Sequence, residues 1–159
     1  MHTLVIDIAK YLILVPPLVW LVVLAKLPKN QRWPFVVYTV IAGVITLLLM
    51  KLGATIYHDP RPFVRDGVHP YFTHAADNGF PSDHTIASSL LAFVVVRYRR
   101  YAGLALLVVA LLIGTARVIS GVHHGIDIVG AVAFAAIGAG LAVPLQRMVT
   151  NLSSKKERE

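Results

Sequence analysis

The chain has 159 residues, of which 57% are hydrophobic and 14% are charged, and its mean hydropathy is +0.69. This composition is more apolar than a soluble core requires. It indicates an integral membrane protein of one domain, residues 1–159, with a polar C-terminal tail from about residue 150. The formal net charge is +7, but the cations form no continuous basic face, so nucleic acid is not an expected partner. The absence of cysteine excludes disulfides, thiolate metal sites and a cysteine nucleophile.

Five apolar segments follow one another along the chain and predict an all-α bundle of about five transmembrane helices. Most of them approach the ~20 residues that a helix needs to cross a bilayer. The third is short, and we expect it to be tilted or shielded among its neighbours. Residues 58–80 are polar and punctuated by proline and glycine, so they predict an ordered loop. The apolar segments are residues 3–25, 34–57, 83–96, 102–120 and 125–146.

The first apolar segment is expected to be a retained span rather than a signal peptide. Lys10 lies late for a signal peptide, and no small-residue cleavage site follows the apolar run. The pair Pro16-Pro17 interrupts the run and predicts a kink in this helix.

The positive charges predict the orientation of the bundle, because short cytoplasmic loops collect lysine and arginine. With five spans, the first connection, the third connection and the C-terminal end lie on one side of the membrane. We expect that side to be the cytoplasm, so the N-terminus, the loop 58–80 and the turn 121–124 face outward. The cations are Lys26, Lys29 and Arg32, then Arg97, Arg99 and Arg100, then Arg147, Lys155, Lys156 and Arg158.

Three polar clusters adjoin the apolar segments. Because successive connections alternate between the two sides of the membrane, all three clusters are expected on the outer side. Ionisable groups beside lipid are costly and usually functional. We therefore interpret the clusters as one site for a lipid phosphate. They are Asp59-Pro60-Arg61-Pro62, then Pro81-Ser82-Asp83-His84, then Arg117 followed by His123, His124 and Asp127.

The third cluster predicts nucleophilic catalysis. His123 and Asp127 are four residues apart, so they share one face at the start of a helix. A carboxylate bound to one ring nitrogen fixes the tautomer and leaves the other nitrogen free to attack phosphorus. We predict that His123 is the nucleophile and that Asp127 orients it.

The other polar residues supply groups that suit a phosphate. Arg61 and Arg117 carry planar, permanently charged donors for the equatorial oxygens of a phosphoryl group. Ser82 is a predicted N-cap, which directs its hydroxyl and the backbone amide of Asp83 to the positive end of a helix dipole. His84 is the expected proton donor to the leaving oxygen.

In order, spacing and chemistry, these residues resemble the signature of the type 2 phosphatidic acid phosphatases, the PAP2 superfamily. That signature reads Lys-x6-Arg-Pro, Pro-Ser-Gly-His and Ser-Arg-x5-His-x3-Asp. The resemblance covers roughly residues 35–140, and the stretch from His58 to Thr85 is similar to the bacitracin-resistance branch, the undecaprenyl-diphosphate phosphatases of bacterial cell-wall synthesis. The matching residues are Arg61-Pro62, Pro81-Ser82-Asp83-His84, Arg117, His123 and Asp127.

The resemblance implies an all-α membrane fold with a core like that of vanadium chloroperoxidase. It also implies metal-independent hydrolysis of undecaprenyl diphosphate to undecaprenyl phosphate and phosphate, through a phosphohistidine intermediate and without a cofactor. The implied partner is a polyprenyl diphosphate lipid of the plasma membrane, and the implied role is to recycle the cell-wall carrier lipid.

Three positions depart from the signature. Ala54 stands where the signature has its lysine, and Lys51, one turn earlier on about the same helix face, is the candidate replacement. Asp83 stands in place of the glycine, and Ala116 in place of the serine. Outside the signature, three residues are candidates for contacts with the headgroup or behind the catalytic groups, namely His74, Asp77 and His124.

Three alternatives stay open at this point. Histidines and carboxylates also bind zinc or magnesium and activate water, although such a site has no need of two converging arginines. Similar groups around a differently shaped groove would suit a glycerolipid phosphatase acting on phosphatidate or phosphatidylglycerophosphate. A transporter or channel would place ionisable residues through the depth of the bundle. Apart from the cytoplasmic cations named above, the ionisable residues here collect at its outer end, with Asp7, Lys10 and Lys51 as the exceptions.

Overall fold

The fold is helical, as predicted. The computed structural model describes residues 2–156, and within this part of the chain the β contact is limited to an isolated bridge between Pro60 and Asn78. Residues 157–159, which include Arg158 of the predicted cytoplasmic charge cluster, lie outside the described residues. The helices are α1 (His2–Tyr11), α2 (Val15–Lys26), α3 (Lys29–Ile56), α4 (Pro62–Arg65), α5 (Asp83–Val96), α6 (Arg100–Ile119) and α7 (Gly125–Lys156).

The first apolar segment forms two helices. A 3-10 turn at Leu12–Leu14 separates α1 from α2, and Pro16 and Pro17 lie in the first turn of α2. Proline has no N–H, so these residues cannot donate to the carbonyls four positions earlier, those of Leu12 and Ile13. The helix is therefore interrupted where the sequence predicted a kink.

Four helical segments are long and apolar enough to cross a membrane, and α5 is shorter. At 1.5 Å per residue, the 14 residues of α5 extend about 21 Å, against about 30 Å for a bilayer core. The predicted set of about five spans thus consists of four full-length helices and one short apolar helix. The four long segments are His2–Lys26, Lys29–Ile56, Arg100–Ile119 and Gly125–Asn151.

The short helix α5 lies inside the bundle. It packs against α2, α3, α6 and α7, and half of its residues are buried, including Ser88 and Ser89. The neighbouring helices therefore shield α5 from lipid, which explains how a helix shorter than the membrane can begin at a polar motif.

The apolar core and the polar clusters occupy opposite ends of the bundle. The core contains Phe35 and Tyr38 of α3, Val95 of α5 and Leu106 of α6, all near the α2–α3 and α5–α6 connections. The Tyr38 hydroxyl donates to the Ala139 carbonyl of α7 at 2.9 Å. This packing fixes α3, α5, α6 and α7 against one another, so their other ends form a rigid frame for the polar clusters.

Phe80, at the end of the loop 58–80, is inserted between α3 and α7. A Cβ atom on Gly130 would overlap the Phe80 ring, and one on Gly53 would overlap Phe134, whose ring lies 5.8 Å from that of Phe80. Glycine at these positions makes room for the phenyl ring. The inserted ring anchors the chain immediately before Pro81 and Ser82, and so determines where α5 begins.

Candidate active site

The polar clusters of the sequence converge at one end of the bundle. Arg61 immediately precedes α4, Ser82 precedes α5, Arg117 lies in the last turn of α6 and Asp127 in the first turn of α7. These four residues and His123 are at most 3% exposed. Buried charged groups require partners, and those partners define the geometry of the site.

A tight turn between α6 and α7 carries His123 into this centre. Gly121 has a φ of 71°, in the left-handed region that favours glycine. The Val122 N–H donates to the Arg117 carbonyl at 3.2 Å, and the Tyr71 N–H of the long loop donates to the Ser120 carbonyl at 3.0 Å. The turn is therefore held from both sides, and the His123 side chain points inward.

The His123 ring lies between a carboxylate and a guanidinium. Its Nδ1 is 3.0 Å from Asp127 Oδ2, and its Nε2 is 3.1 Å from Arg61 Nη1. Because arginine can only donate, Nε2 must carry the lone pair, and the ring proton must be on Nδ1, donated to Asp127. This is the tautomer in which Nε2 can act as a nucleophile.

The surroundings of His123 favour its neutral form. Burial lowers the pKa of His123, and the charges of Arg117 and Arg61 lower it further, while the hydrogen bond with Asp127 acts in the opposite direction. A neutral imidazole retains the lone pair on Nε2 at neutral pH. The electrostatics therefore agree with the tautomer deduced from the contacts.

Asp127 is itself held by the turn and by the loop. Its Oδ2 also accepts a hydrogen bond from the His124 backbone N–H at 2.9 Å. The loop passes so close that a Cβ atom on Gly79 would lie 3.0 Å from Oδ2. The other oxygen, Oδ1, is buried without a partner among the described residues. The carboxylate is thus fixed in the position that orients His123.

Each of the two arginines has a partner in the long loop. Arg61 Nε donates to Asp77 Oδ1 at 2.7 Å, and Arg117 Nη2 lies 2.9 Å from His74 Nε2. Arg117 Nη1 donates to the Ala9 carbonyl of α1 at 3.3 Å, and its Nε is buried without a partner among the described residues. His74 and Asp77 therefore lie on the two groups that we predicted to bind phosphate.

His84 lies in the first turn of α5 and is partly buried. Its ring makes no hydrogen bond to a described residue, whereas its backbone carbonyl accepts one from Ser88 Oγ at 2.7 Å. Arg117, His123 and His74 lie within electrostatic range of the ring. The His84 ring is thus close to the predicted nucleophile and available to exchange a proton with a bound group.

Ser82 lies at the N-cap position, but its hydroxyl makes no capping hydrogen bond. Instead, Ser82 Oγ accepts from Thr85 Oγ1 at 3.1 Å, and the Ser82 N–H donates to the Asp127 carbonyl at 3.2 Å. The capping bond expected from the sequence is therefore absent. Because the Ser82 oxygen is used as an acceptor, its O–H remains available to donate to an anion.

The amino-acid sequence around these polar clusters matches a known protein family. The sequence matches the PAP2 superfamily over residues 31–151. The chain belongs to the PAP2 superfamily. The family predicted from the three motifs is thus confirmed, and the several apolar helices agree with a multi-pass membrane protein.

Two curated relatives are similar to this PAP2 chain. It is 35% identical over 109 residues to the undecaprenyl-diphosphatase BcrC of Bacillus subtilis strain 168, an alignment that covers 69% of this chain and 56% of the relative. It is 34% identical over 106 residues to the bacitracin transport permease protein BcrC of Bacillus licheniformis, covering 66% of this chain and 51% of the relative. The chain spans about half the length of these two proteins.

A solved structure supports the fold of the PAP2 chain. The crystal structure of LpxE from Aquifex aeolicus superimposes with a TM-score of 0.62 at 22% sequence identity, covering 90% of this chain and 83% of that chain. The similarity includes helices outside the matched region 31–151. Within α1, the Ala9 carbonyl binds Arg117, so a helix that precedes the matched PAP2 region contributes to the site.

A second histidine–aspartate pair lies beside the PAP2 centre. His124 Nδ1 is 2.7 Å from Asp59 Oδ2, and its Nε2 is 2.9 Å from Asp66 Oδ2 and from Arg65 Nη2. Arg65 also donates to Asp59 Oδ1 at 2.7 Å and to Asp66 Oδ1 at 2.9 Å. We call Asp59, Arg65, Asp66 and His124 the outer network. The sequence predicted only a supporting contact for His124. Asp59 was predicted as part of the first polar cluster, whereas its contacts with Arg65 and His124 were not predicted.

Asn78 was missed by sequence reasoning. Its Nδ2 donates to the carbonyls of Ala54 and Tyr57 at 3.1 Å each, at the end of α3. Its Oδ1 accepts from the N–H of Asp59 at 2.9 Å and of Phe80 at 3.0 Å. Both amide donors and both lone pairs are thus used. Asn78 joins α3 to both ends of the long loop, and no periodicity or motif in the sequence indicates this.

The metal alternative can be tested against the side chains. Asp59, His124 and Asp127 offer ligand atoms that lie within 4.8 Å of one another. However, Asp59 is bound to Arg65 and His124, and Asp127 Oδ2 accepts from two N–H groups. A guanidinium at this position would repel a metal ion. The donor set therefore fits a hydrogen-bonded network better than a metal centre, and independence of metal stays a prediction.

Lys51, the candidate replacement for the signature lysine, and Asp83, one of the three departures from the PAP2 signature, are both exposed. The Lys51 side chain is exposed and forms no ion pair with a described residue, so the structure does not bring it to the two arginines. Its role as the replacement lysine stays a prediction. Asp83 is exposed at the end of an apolar groove of about 290 Å³ between α3 and α5, lined by Leu47, Met50, Ile86 and Leu90 among others.

Proposed function

We propose that this PAP2 protein hydrolyses undecaprenyl diphosphate to undecaprenyl phosphate and phosphate. The observation that carries the proposal is the His123 ring, whose Nε2 carries the lone pair because Nδ1 keeps its proton and donates it in a hydrogen bond to Asp127. The relative from Bacillus subtilis is named an undecaprenyl-diphosphatase. A polyprenyl diphosphate combines the two features that the site suits, an anionic phosphoryl group and a long apolar chain.

In the first step, His123 Nε2 attacks the terminal phosphorus in line with the leaving oxygen. An N–P bond forms, and the bond from phosphorus to the lipid monophosphate breaks. Arg61 and Arg117 bind the equatorial oxygens, where charge accumulates in the transition state. Asp127 stabilises the positive imidazole ring, and His84 donates a proton to the departing oxygen.

In the second step, water hydrolyses the phosphohistidine. His84, which lost its proton in the first step, accepts a proton from the attacking water. The P–N bond breaks, orthophosphate forms, and His123 returns to the neutral tautomer. The Ser82 hydroxyl and the Asp83 backbone amide, at the positive end of α5, bind phosphate oxygens that the arginines do not hold. Lys51 is a weaker candidate for the same task.

The lipid chain and the phosphate headgroup of the substrate would bind in different parts of the protein. The apolar groove between α3 and α5 ends at Asp83, next to the start of α5, so a chain in the groove would bring its headgroup toward the arginines. The charge distribution supports an extracytoplasmic site and a cytoplasmic C-terminus. Phosphate is then released outside the plasma membrane, where the carrier lipid is recycled for cell-wall synthesis.

Two alternatives have specific support. Nothing in the catalytic groups measures chain length or counts phosphates, so phosphatidate or phosphatidylglycerophosphate would meet the same His123 and arginines. The relative from Bacillus licheniformis bears the name of a bacitracin transport permease, which favours a transport reading. Against transport, the described ionisable residues within the bundle cluster at one end rather than along a path through the membrane.

The test is phosphate release by purified protein in detergent with EDTA present. Undecaprenyl diphosphate, phosphatidate and phosphatidylglycerophosphate are compared, with His123→Ala as the control for contaminating phosphatases. We expect chelator-resistant hydrolysis that prefers undecaprenyl diphosphate and is lost in the variant. Preference for a glycerolipid would contradict undecaprenyl diphosphate as the substrate and leave the proposed histidine mechanism unchanged. Loss of activity on adding EDTA would overturn the metal-independent mechanism, and no release from folded protein would favour transport.

A further inference from the structure

Both arginines of the site are occupied by one short segment of the long loop. Asp77 Oδ1 accepts from Arg61 Nε at 2.7 Å, and His74 Nε2 lies 2.9 Å from Arg117 Nη2. Only Ala75 and Ala76 separate these two residues in the chain. We call residues 74–77 the latch segment. A carboxylate on a guanidinium makes the same charge-assisted hydrogen bonds as a phosphate oxygen, so the segment lies where the substrate phosphate is expected.

The latch segment is held mainly by polar contacts with the arginines. Its His74 ring also lies 6.5 Å from the Phe72 ring and 6.2 Å from the His123 ring, both outside the apolar core. The Asp77 side chain is 61% exposed, whereas that of Arg61 is 3% exposed. Ala75 and Ala76 are exposed as well. An exposed segment whose contacts are polar can leave the site without opening the core of the bundle.

Two fixed points bound the latch segment. On one side, the Tyr71 N–H donates to the Ser120 carbonyl at 3.0 Å. On the other, the Asn78 side chain makes its four hydrogen bonds to α3 and the loop ends. The residues between these points can therefore move while the catalytic turn and the start of α5 stay in place.

The protonation of the two latch residues suits displacement by an anion. Burial lowers the pKa of His74, and the charge of Arg61 lowers it further, so the ring is neutral and only its lone pair faces Arg117. Burial opposes ionisation of Asp77, but the hydrogen bond and charge of Arg61 outweigh it and hold the pKa of Asp77 below its usual value. The segment thus offers Arg61 one negative charge and Arg117 none, which is less than a phosphate dianion offers.

The free donors of the arginines show what a phosphate would have to displace. Arg61 Nη1 is bonded to Val122 O and His123 Nε2, so a bidentate fork to phosphate uses the edge formed by Nε and Nη2. Asp77 occupies Nε on that edge. On Arg117, His74 occupies Nη2, while Nε is buried without a partner among the described residues. Bidentate binding of a phosphate therefore requires the latch residues to withdraw.

We propose that residues 74–77 are an internal competitor for the phosphate subsite, closing on Arg61 and Arg117 when the site is empty and returning to them as product phosphate leaves. This inference rests on the proposed phosphatase function. It assigns to Asp77 and His74 a role in phosphate affinity and product release, distinct from the transfer step itself.

The test is binding of inorganic phosphate to the purified full chain in detergent, measured by calorimetry without turnover. Asp77→Asn removes the competing charge and keeps the size of the side chain. We expect phosphate to bind about three- to tenfold more tightly to this variant, since an exposed ion pair of this kind is modest in strength. His74→Ala should tighten binding as well, by about twofold, because a neutral ring competes less than a carboxylate.

The matched control is Asp7→Asn. Asp7 is exposed on α1, two residues before Ala9, which binds Arg117, and it forms no ion pair with a described residue. The control loses the same unit of charge near the same end of the bundle without touching either arginine. We expect its phosphate affinity to change by less than about 1.5-fold, the scale of a screened surface charge. Equal tightening in Asp7→Asn and Asp77→Asn would overturn the latch.

The outcomes separate this inference from the proposed function. Phosphate that binds the wild-type protein and Asp77→Asn equally overturns the latch and leaves the phosphatase proposal intact. Weaker binding to Asp77→Asn, in protein with an unchanged melting temperature, shows that Asp77 positions Arg61 instead of competing, and also overturns it. Binding to Asp77→Asn but not to the wild-type protein supports the latch strongly. No binding to any variant overturns the latch, and phosphate release from undecaprenyl diphosphate by the same preparation then decides the proposed function separately.

Discussion

His123 and His124 are adjacent in the chain, and each pairs with an aspartate, yet the two pairs lie in different surroundings. His123 and Asp127 are almost fully buried, and the Nε2 of His123 lies 3.1 Å from Arg61 Nη1, on a guanidinium that we propose binds the phosphate. His124 is more exposed, and both of its ring nitrogens are bound within the outer network. The same dipeptide thus provides one ring with an available lone pair and one ring that fastens the loop.

The comparison shows that a histidine–aspartate pair does not define a catalytic group by itself. What matters is the second ring nitrogen, which is directed at Arg61, a proposed phosphate ligand, in His123 and at Asp66 and Arg65 in His124. Catalysis needs a free lone pair beside donors for the oxyanion, whereas positioning needs saturated contacts.

The largest effect should separate the two rings directly. His123→Ala removes the attacking atom, so kcat should fall by at least about a thousandfold. His124→Ala removes only a contact behind the nucleophile, and the loss should stay within about tenfold. The measurement is phosphate release from undecaprenyl diphosphate by variants with matching melting curves. Comparable losses in both variants would contradict the assignment of His123 as the nucleophile.

The next largest effects are expected at Asp127 and Asp59, the aspartates that pair with His123 and His124. Asp127→Asn keeps the shape of the carboxylate but offers its amide N–H to His123 or allows the other tautomer, so kcat should fall by about a hundredfold or more with little change in melting temperature. Asp59→Asn should show the reverse. It weakens buried contacts to Arg65 and His124, and the free energy of unfolding should fall by about 1–3 kcal/mol. An active Asp127→Asn variant at the wild-type rate would contradict its orienting role.

The His123–Asp127 pair and the outer network also differ in how far the sequence predicts them. That His84, His123 and Asp127 lie together was predictable because motif spacing fixes them relative to helix ends, and that Arg61 and Arg117 lie beside them because they belong to the same motifs. The catalytic and phosphate-binding roles of these residues stay predictions. The outer network and Asn78 were not predictable in this way, since their partners lie in a 23-residue loop without periodicity, residues 58–80. Likewise, the apolar pattern indicated the spans, whereas the short helix α4 within the loop depends on local turn contacts.

The third effect is on pH dependence. Burial lowers the pKa of His123, and the protonated ring has no lone pair on Nε2. Activity should therefore fall as the pH falls, about tenfold for each unit below the pKa. A titration of 15N-labelled histidines by NMR, with His123→Ala to assign the signal, should give a midpoint below the ordinary 6.5. A midpoint above 6.5 would mean that Asp127 outweighs burial.

A smaller effect is expected at Asn78, whose hydrogen bonds join α3 to the loop that carries Asp59 of the outer network. Asn78→Asp keeps the acceptor atoms and loses both N–H donors to the Ala54 and Tyr57 carbonyls. We expect the free energy of unfolding to fall by about 2 kcal/mol, since two carbonyls lose their partners, and kcat to fall about fivefold because Asp59 shifts with the loop. Asn78→Ser is the companion variant without an added charge. Unchanged stability in both would show that the Asn78 side chain does not hold the loop.

The smallest effect concerns the exposed end of the same network. Asp66 and Arg65 are 41% and 49% exposed, so water and salt screen their interaction. Asp66→Asn leaves His124 bonded to Asp59 and should change kcat by no more than about twofold, and it should do so mainly at low ionic strength. A screen of kcat against sodium chloride concentration for this variant and the wild-type protein measures the difference. A fall in the free energy of unfolding as large as that of Asp59→Asn, measured for both variants in the same buffer, would mean that the outer network acts as one unit up to its exposed edge, and that the burial of Asp59 is not what distinguishes it.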